Sequence, residues 1–153
     1  MCEVRLRDEE IQAATQVAVL RVVNSLDRQN TTKGLPRYSF DVDVLGALGE
    51  MAVARYLGYG FELSVDTFKD IPDVGKFEVR ATQYENGHLI LRKGDPGDRA
   101  YILVTGGPRL WHLRGWLMGE DAFAPQYERD PGGRGTCWMV PQSDLNRMKK
   151  LPK

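Results

Sequence analysis

Glu50, Asp73 and Glu78 are the residues whose types and settings point to chemistry. Glu78 lies midway along residues 76–82, where Phe77, Val79 and Ala81 form one face and Lys76, Glu78, Arg80 and Thr82 the other. A period of two is the mark of a strand. Asp73 comes just before it, in Ile71-Pro72-Asp73-Val74-Gly75, where Gly75 lets the chain double back. The two carboxylates are therefore expected to converge at one end of a hairpin. Glu50 lies on a helical segment whose neighbours at three, four and seven positions include Gly46, Ala47, Val53, Ala54 and Leu57. An acid on so apolar a stripe needs a partner, because a lone buried charge is costly. The small neighbours allow the helix to approach a sheet and bring Glu50 to the other two acids. Close carboxylates repel unless a cation neutralises them, and hard divalent ions such as Mg²⁺ favour these oxygens.

Positioning those acids requires helices before them and a sheet around them. Ile11, Ala14, Val17, Ala18 and Val22 recur at helical spacing, with Asp8 able to cap, and predict a helix over residues 8–30. Gly34 and Pro36 break it. A second helix is expected over 43–57, capped by Asp41 or Asp43 and stopped by Gly58. Short strands are expected over 61–65 and 76–82. Asn86-Gly87 then predicts a hairpin into a return strand, 88–92. Tyr101-Ile102-Leu103-Val104 reads as a strand buried on both faces. A further strand over 109–113, a strand over 137–140 and a last helix from the Ser143 cap to about 150 complete the order. One domain over 1–153 follows, of α/β class bordering on α+β, with a central mixed sheet flanked by helices.

Hydrophobic residues make up 42% and charged residues 27%, the balance of a globular chain that can bury a core without staples. Cys2 and Cys137 make no convincing bridge, so a reducing cytoplasm is the simpler setting. With His88 and His112 they form no zinc pattern. No apolar run is long enough to span a membrane, and the charged start is unlike a secretory signal. The 21 basic and 21 acidic residues exclude a strongly basic coat. They are unevenly spread, however: seven acids against two bases over 41–73, then seven bases against four acids over 76–115. An acidic pocket rimmed by phosphate-binding groups would show this pattern.

Pro72-Asp73, four intervening residues and then Glu78-Val79-Arg80 resembles the signature of the PD-(D/E)XK nucleases, with arginine in the usual place of lysine. Gly49-Glu50 resembles the helical acid that precedes this signature in many members. The likeness covers less than half the chain, and residues 73–106 are similar to small proteins often encoded by phages. It implies a restriction-endonuclease-like core over about 41–114 and hydrolysis of DNA phosphodiester bonds in the cytoplasm, of a bacterial host if the chain is phage-encoded. It further implies Mg²⁺ or Mn²⁺ held by Asp73, Glu78, Glu50 and the Val79 carbonyl. Arg80 matches the family lysine, and Lys76, on the same strand face, is a substitute for it. A non-cleaving nucleic-acid-binding or phage assembly module is the alternative, because arginine clamps phosphate but is a poor proton acceptor. The reading leaves room for a homodimer. Arg92, Lys93, Arg99, Arg109 and Arg114 are candidate phosphate contacts.

Overall fold

The computed structural model describes residues 2–29, 40–60 and 73–153. The expected strand over 61–65 and the loop around Gly34 and Pro36 lie outside the described residues. The chain begins with a strand that the sequence reading did not anticipate, β1 (Cys2–Arg5), followed by α1 (Asp8–Gln29) and α2 (Phe40–Leu57). Then come β2 (Phe77–Thr82), β3 (Leu89–Arg92), β4 (Ala100–Gly106) and β5 (Leu110–Met118). A single turn, α3 (Gly119–Ala122), leads to β6 (Glu128–Arg129) and β7 (Cys137–Val140).

The main sheet is mixed and runs β1-β5-β4-β2, with β2 parallel to β4 and the other pairs antiparallel. The two helices cover one face of it. Ala47, Leu48 and Met51 of α2 and Ala14 and Ala18 of α1 share a core with Phe77, Val79, Ile102, Val104 and Trp111. Gly49 is what makes this approach close: a Cβ there would lie 2.7 Å from that of Ala81 and 2.9 Å from Val104. The other face is covered by a second, three-stranded sheet, β3-β7-β6, rather than by helices. Leu89, Leu91 and Val140 of that sheet meet Tyr101, Leu103 and Leu117. β4 is thus sandwiched, which is why it reads as a continuous apolar run. A bulge between Leu103 and Val104 against β5 turns Trp111 and Leu113 toward the helices and Leu117 toward the second sheet.

Two expectations are corrected here. The turn that forms lies one residue earlier than Asn86-Gly87 predicts, over Tyr84–Gly87 with the Gly87 N–H bonded to the Tyr84 carbonyl at 3.0 Å, and it does not close a hairpin between β2 and β3. β3 departs to pair with β7, Leu89 opposite Val140, because burying Leu89 and Leu91 under Tyr101 decides its partner. The final helix is absent: Gln142–Asp144 and Met148–Lys150 are separate 3₁₀ turns. No helix among the described residues is long and apolar enough to cross a membrane.

Candidate functional site

The site is built at the free edge of β2. Before that strand the chain makes a tight turn, with Val74 and Phe77 exchanging both backbone hydrogen bonds at 3.0 and 2.9 Å. Gly75 sits at φ +57°, a conformation that a side chain would resist. This turn carries Asp73 back alongside the strand. Its Oδ2 accepts the backbone N–H of Val79 at 2.8 Å, occupying one of the groups that an edge strand leaves unpaired.

Glu78 follows one turn later and is only 7% exposed. Its Oε1 accepts a hydrogen bond from Arg99 Nη1 at 2.6 Å, and its Oε2 lies 3.7 Å from Arg80 Nη1. Burial raises the affinity of Glu78 for a proton, and so does the charge of Asp73, whose carboxyl is within hydrogen-bonding reach. The expected convergence of Asp73 and Glu78 is therefore present. Arg80 spans the acids, 3.9 Å from Asp73 and 3.1 Å from Asp95, and its guanidinium stacks 5.1 Å from the centre of the Tyr101 ring. The Val79 carbonyl, a candidate ligand, accepts from Arg80 Nη1 at 3.3 Å.

Glu50 is buried, but it reaches the site from the helix layer. Arg21 of α1 grips it with a fork, Nη1 to Oε1 at 3.0 Å and Nη2 to Oε2 at 2.7 Å. Even so, its carboxyl is pushed up to about 7: burial comes first, and the charges of Asp73 and Glu78 add to it, against the opposing pull of Arg21. Those influences put Glu50 within electrostatic reach of the pair. The geometry differs from a single shared face. β2 pairs Glu78 with Tyr101, on the side of the second sheet, whereas α2 lies on the side of Phe77 and Val79. The acids act on one another around the sheet edge. Among the described residues no three His, Cys, Asp or Glu side chains are gathered into a group that could hold a metal ion. The expected set of Asp73, Glu78 and Glu50 thus resolves into a close pair and a neighbour bound to arginine.

Lys76 does not take part. It lies in the turn before the strand begins, so strand alternation does not reach it, and its Nζ donates to the Lys153 carbonyl at 2.6 Å. The basic block also divides. Arg99 joins the acids, whereas Arg109 bonds Asp8 at 2.6 Å and Arg114 bonds Thr105 at 2.7 Å. Arg92 and Lys93 are exposed. Sequence reasoning missed Arg21, although its place seven residues after Ala14 and three after Ala18 sets it on the buried stripe of α1. Asp95 was missed as well; its Oδ2 accepts from the Arg92 N–H at 2.7 Å and from Arg80 Nη2 at 3.1 Å.

Among the described residues four carboxylates, Glu50, Asp73, Glu78 and Asp95, face three guanidiniums, Arg21, Arg80 and Arg99. Burial displaces Glu50 and Glu78 upward, and the charges of the neighbouring acids add to it. A divalent cation commonly needs only one or two protein carboxylates, with water and substrate phosphate completing its shell. Asp73 and Glu78 fit that donor set. No family model matches the chain, and neither a curated protein nor a solved structure does.

Proposed function

We propose that the chain is a divalent-metal-dependent DNA nuclease of the PD-(D/E)XK type. The observation that carries this reading is the Asp73–Glu78 pair: two adjoining carboxyls on a strand edge, with Glu78 buried and its proton affinity raised by burial and by the charge of Asp73. The pair would hold Mg²⁺ or Mn²⁺. The bound ion would stabilise charge at the scissile phosphate and ease deprotonation of the attacking water. Asp73 is held for this by the Val79 N–H, and Glu78 by Arg99. Arg80 supplies fixed positive charge beside the phosphate and cannot serve as proton acceptor. Glu50 titrates near neutrality, as a group that moves a proton at neutral pH should.

A second reading, a nucleic-acid-binding module that does not cleave, is favoured by the short Arg99–Glu78 contact and the Arg21–Glu50 fork, which already neutralise much of the site. The test is incubation of the purified chain with linear duplex, circular duplex and single-stranded DNA, in Mg²⁺, in Mn²⁺ and in EDTA. Cleavage with metal and none in EDTA is expected. Binding without cleavage of any form would establish the second reading instead.

A further inference from the structure

Beside the acidic pair lies a cleft of about 480 Å³, between the edge of β2 and strand β3 of the second sheet. It exists because β3 leaves the main sheet instead of pairing with β2. Its floor is apolar, formed by Ile90, Leu103 and Met139, and its rim carries Arg80, Tyr84, His88 and Arg92. No acidic side chain among the described residues lines it, although Asp73, Glu78 and Asp95 lie just beyond Arg80. The lining charge is thus of one sign.

Tyr84 is 69% exposed, and its backbone is held in place. Its N–H donates to Thr82 Oγ1 at 3.2 Å and its carbonyl accepts from the Gly87 N–H at 3.0 Å. An aromatic ring left outside both cores but mounted on a fixed turn is a stacking platform for a planar ligand. Arg80 joins the two places, lining the cleft while also reaching the acids. The volume lies within the range of roughly 300–1,000 Å³ typical of small-ligand sites, room for about one nucleotide and too little for a duplex.

We propose that this cleft binds an unpaired nucleotide of single-stranded DNA, its base against Tyr84 and its phosphates against Arg80 and Arg92. Base stacking of this kind is tolerant of sequence, and phosphate contacts carry most of the affinity. The inference deepens the nuclease reading by naming its substrate form: the strand would enter over Tyr84 and present its next phosphodiester to Asp73 and Glu78. The binding itself needs no chemistry.

The experiment is fluorescence anisotropy in EDTA, with a labelled short oligothymidine and, separately, a labelled duplex of mixed sequence. The single strand should bind at least about 10-fold more tightly than the duplex. Tyr84→Ala should weaken single-strand binding about 10-fold. Tyr84→Trp should keep or improve it, and Arg92→Ala should lower the salt slope by about 0.7. Equal or tighter binding of the duplex, or unchanged affinity in a folded Tyr84→Ala variant, overturns the proposal. If Tyr84→Ala does not fold, a loss of affinity in folded Tyr84→Trp overturns it equally. Because EDTA removes any metal, failure to cleave leaves this result intact, and the two readings fail separately.

Discussion

Glu10 and Glu50 are both glutamates buried to within a few per cent and gripped by arginine, yet their protons respond in opposite directions. Glu10 belongs to the start of α1. It reaches back to the Arg7 N–H at 2.7 Å, one half of a capping box, and also bonds the Arg7 and Arg55 guanidiniums at 3.3 and 2.8 Å. Burial works upward on its carboxyl, but the backbone N–H and the two arginines outweigh it and hold the group below the ordinary range. Glu50 also has a two-pronged arginine, but Asp73 and Glu78 add their charges to the cost of burial. Burial therefore does not separate a structural acid from a candidate functional one. The charges acting on them do: beyond burial, the groups that shift Glu10 all favour its charged form, whereas Glu50 and Glu78 are also raised by other acids.

The largest effects are expected at the Asp73–Glu78 pair. Asp73→Ala and Glu78→Ala should each reduce metal-dependent DNA cleavage by more than the roughly 100-fold that loss of an outer-shell partner costs, because each removes a direct oxygen donor. Single-turnover cleavage, with circular dichroism to verify folding, reads this out. Comparable loss in Glu10→Ala would erase the distinction between the two regions.

Next in size is Arg21→Ala. Stranding Glu50 without its fork should cost about 3 kcal/mol at pH 8, measured by urea unfolding. Near pH 5 Glu50 is largely protonated, and the loss should shrink. An equal loss at both values would show that Arg21 acts through packing and not through charge.

The two glutamates should also give opposite pH trends. The folded state holds the Glu50 proton up to about 7, while the unfolded chain releases it near 4.5. Ionising this group therefore lowers stability as pH rises through that interval, and Glu50→Gln should remove the decline. The Glu10 carboxyl is held low, so its contribution is present above the ordinary carboxylate range and is lost as pH falls through its depressed value. Glu10→Ala should cost about 1–2 kcal/mol at pH 7, as a lost helix cap does, and little in strong acid. Matching pH trends for the two sites would contradict the electrostatic contrast.

The smallest effect is expected from Arg80→Lys. Lysine carries the charge but cannot span Asp95, Glu78 and Asp73 as the guanidinium does, so stability should drop by about 1 kcal/mol. Cleavage should persist within about tenfold if Arg80 serves as fixed positive charge. A loss as deep as that of Asp73→Ala would require the planar fork itself.

The chain's own pattern made much of this legible where the interactions are local. Helical recurrence of Ala14, Ala18 and Val22 located α1 to within a residue, and the strand Cys137–Val140 emerged with its bounds as expected. Gly75 and the alternation after it located the turn that joins Asp73 to Glu78, because two residues five apart are brought together by a single tight turn. Small residues around Gly49 signalled a helix lying close on a sheet, since only the lack of a Cβ permits that approach.

Other features had no local signature. Asn86-Gly87 specifies a turn, but the partner of the strand that follows depends on where Leu89 and Leu91 find apolar cover, and that cover comes from Tyr101 and Val140. Lys76 shares the period of Glu78 yet ends at the Lys153 carbonyl, because the turn stops one residue later than the alternation suggests. Ser143 caps no helix: it lies inside the Gln142–Asp144 turn and its hydroxyl donates to Asp144, and the segment after it closes only a further 3₁₀ turn.

Contacts a few residues apart made α1, α2, the Gly75 turn and the adjoining acids Asp73 and Glu78 legible in the chain's own pattern. Long-range packing alone sets Arg80 and Arg99 beside those acids, gives Arg21 to Glu50, brings Glu50 to them around a sheet edge and opens a cleft beside them. The physical reason is that strand partnership and charge balance are set by burial across the whole chain, where residues as distant as Arg21 and Glu50, or Glu78 and Arg99, meet only after both layers have packed.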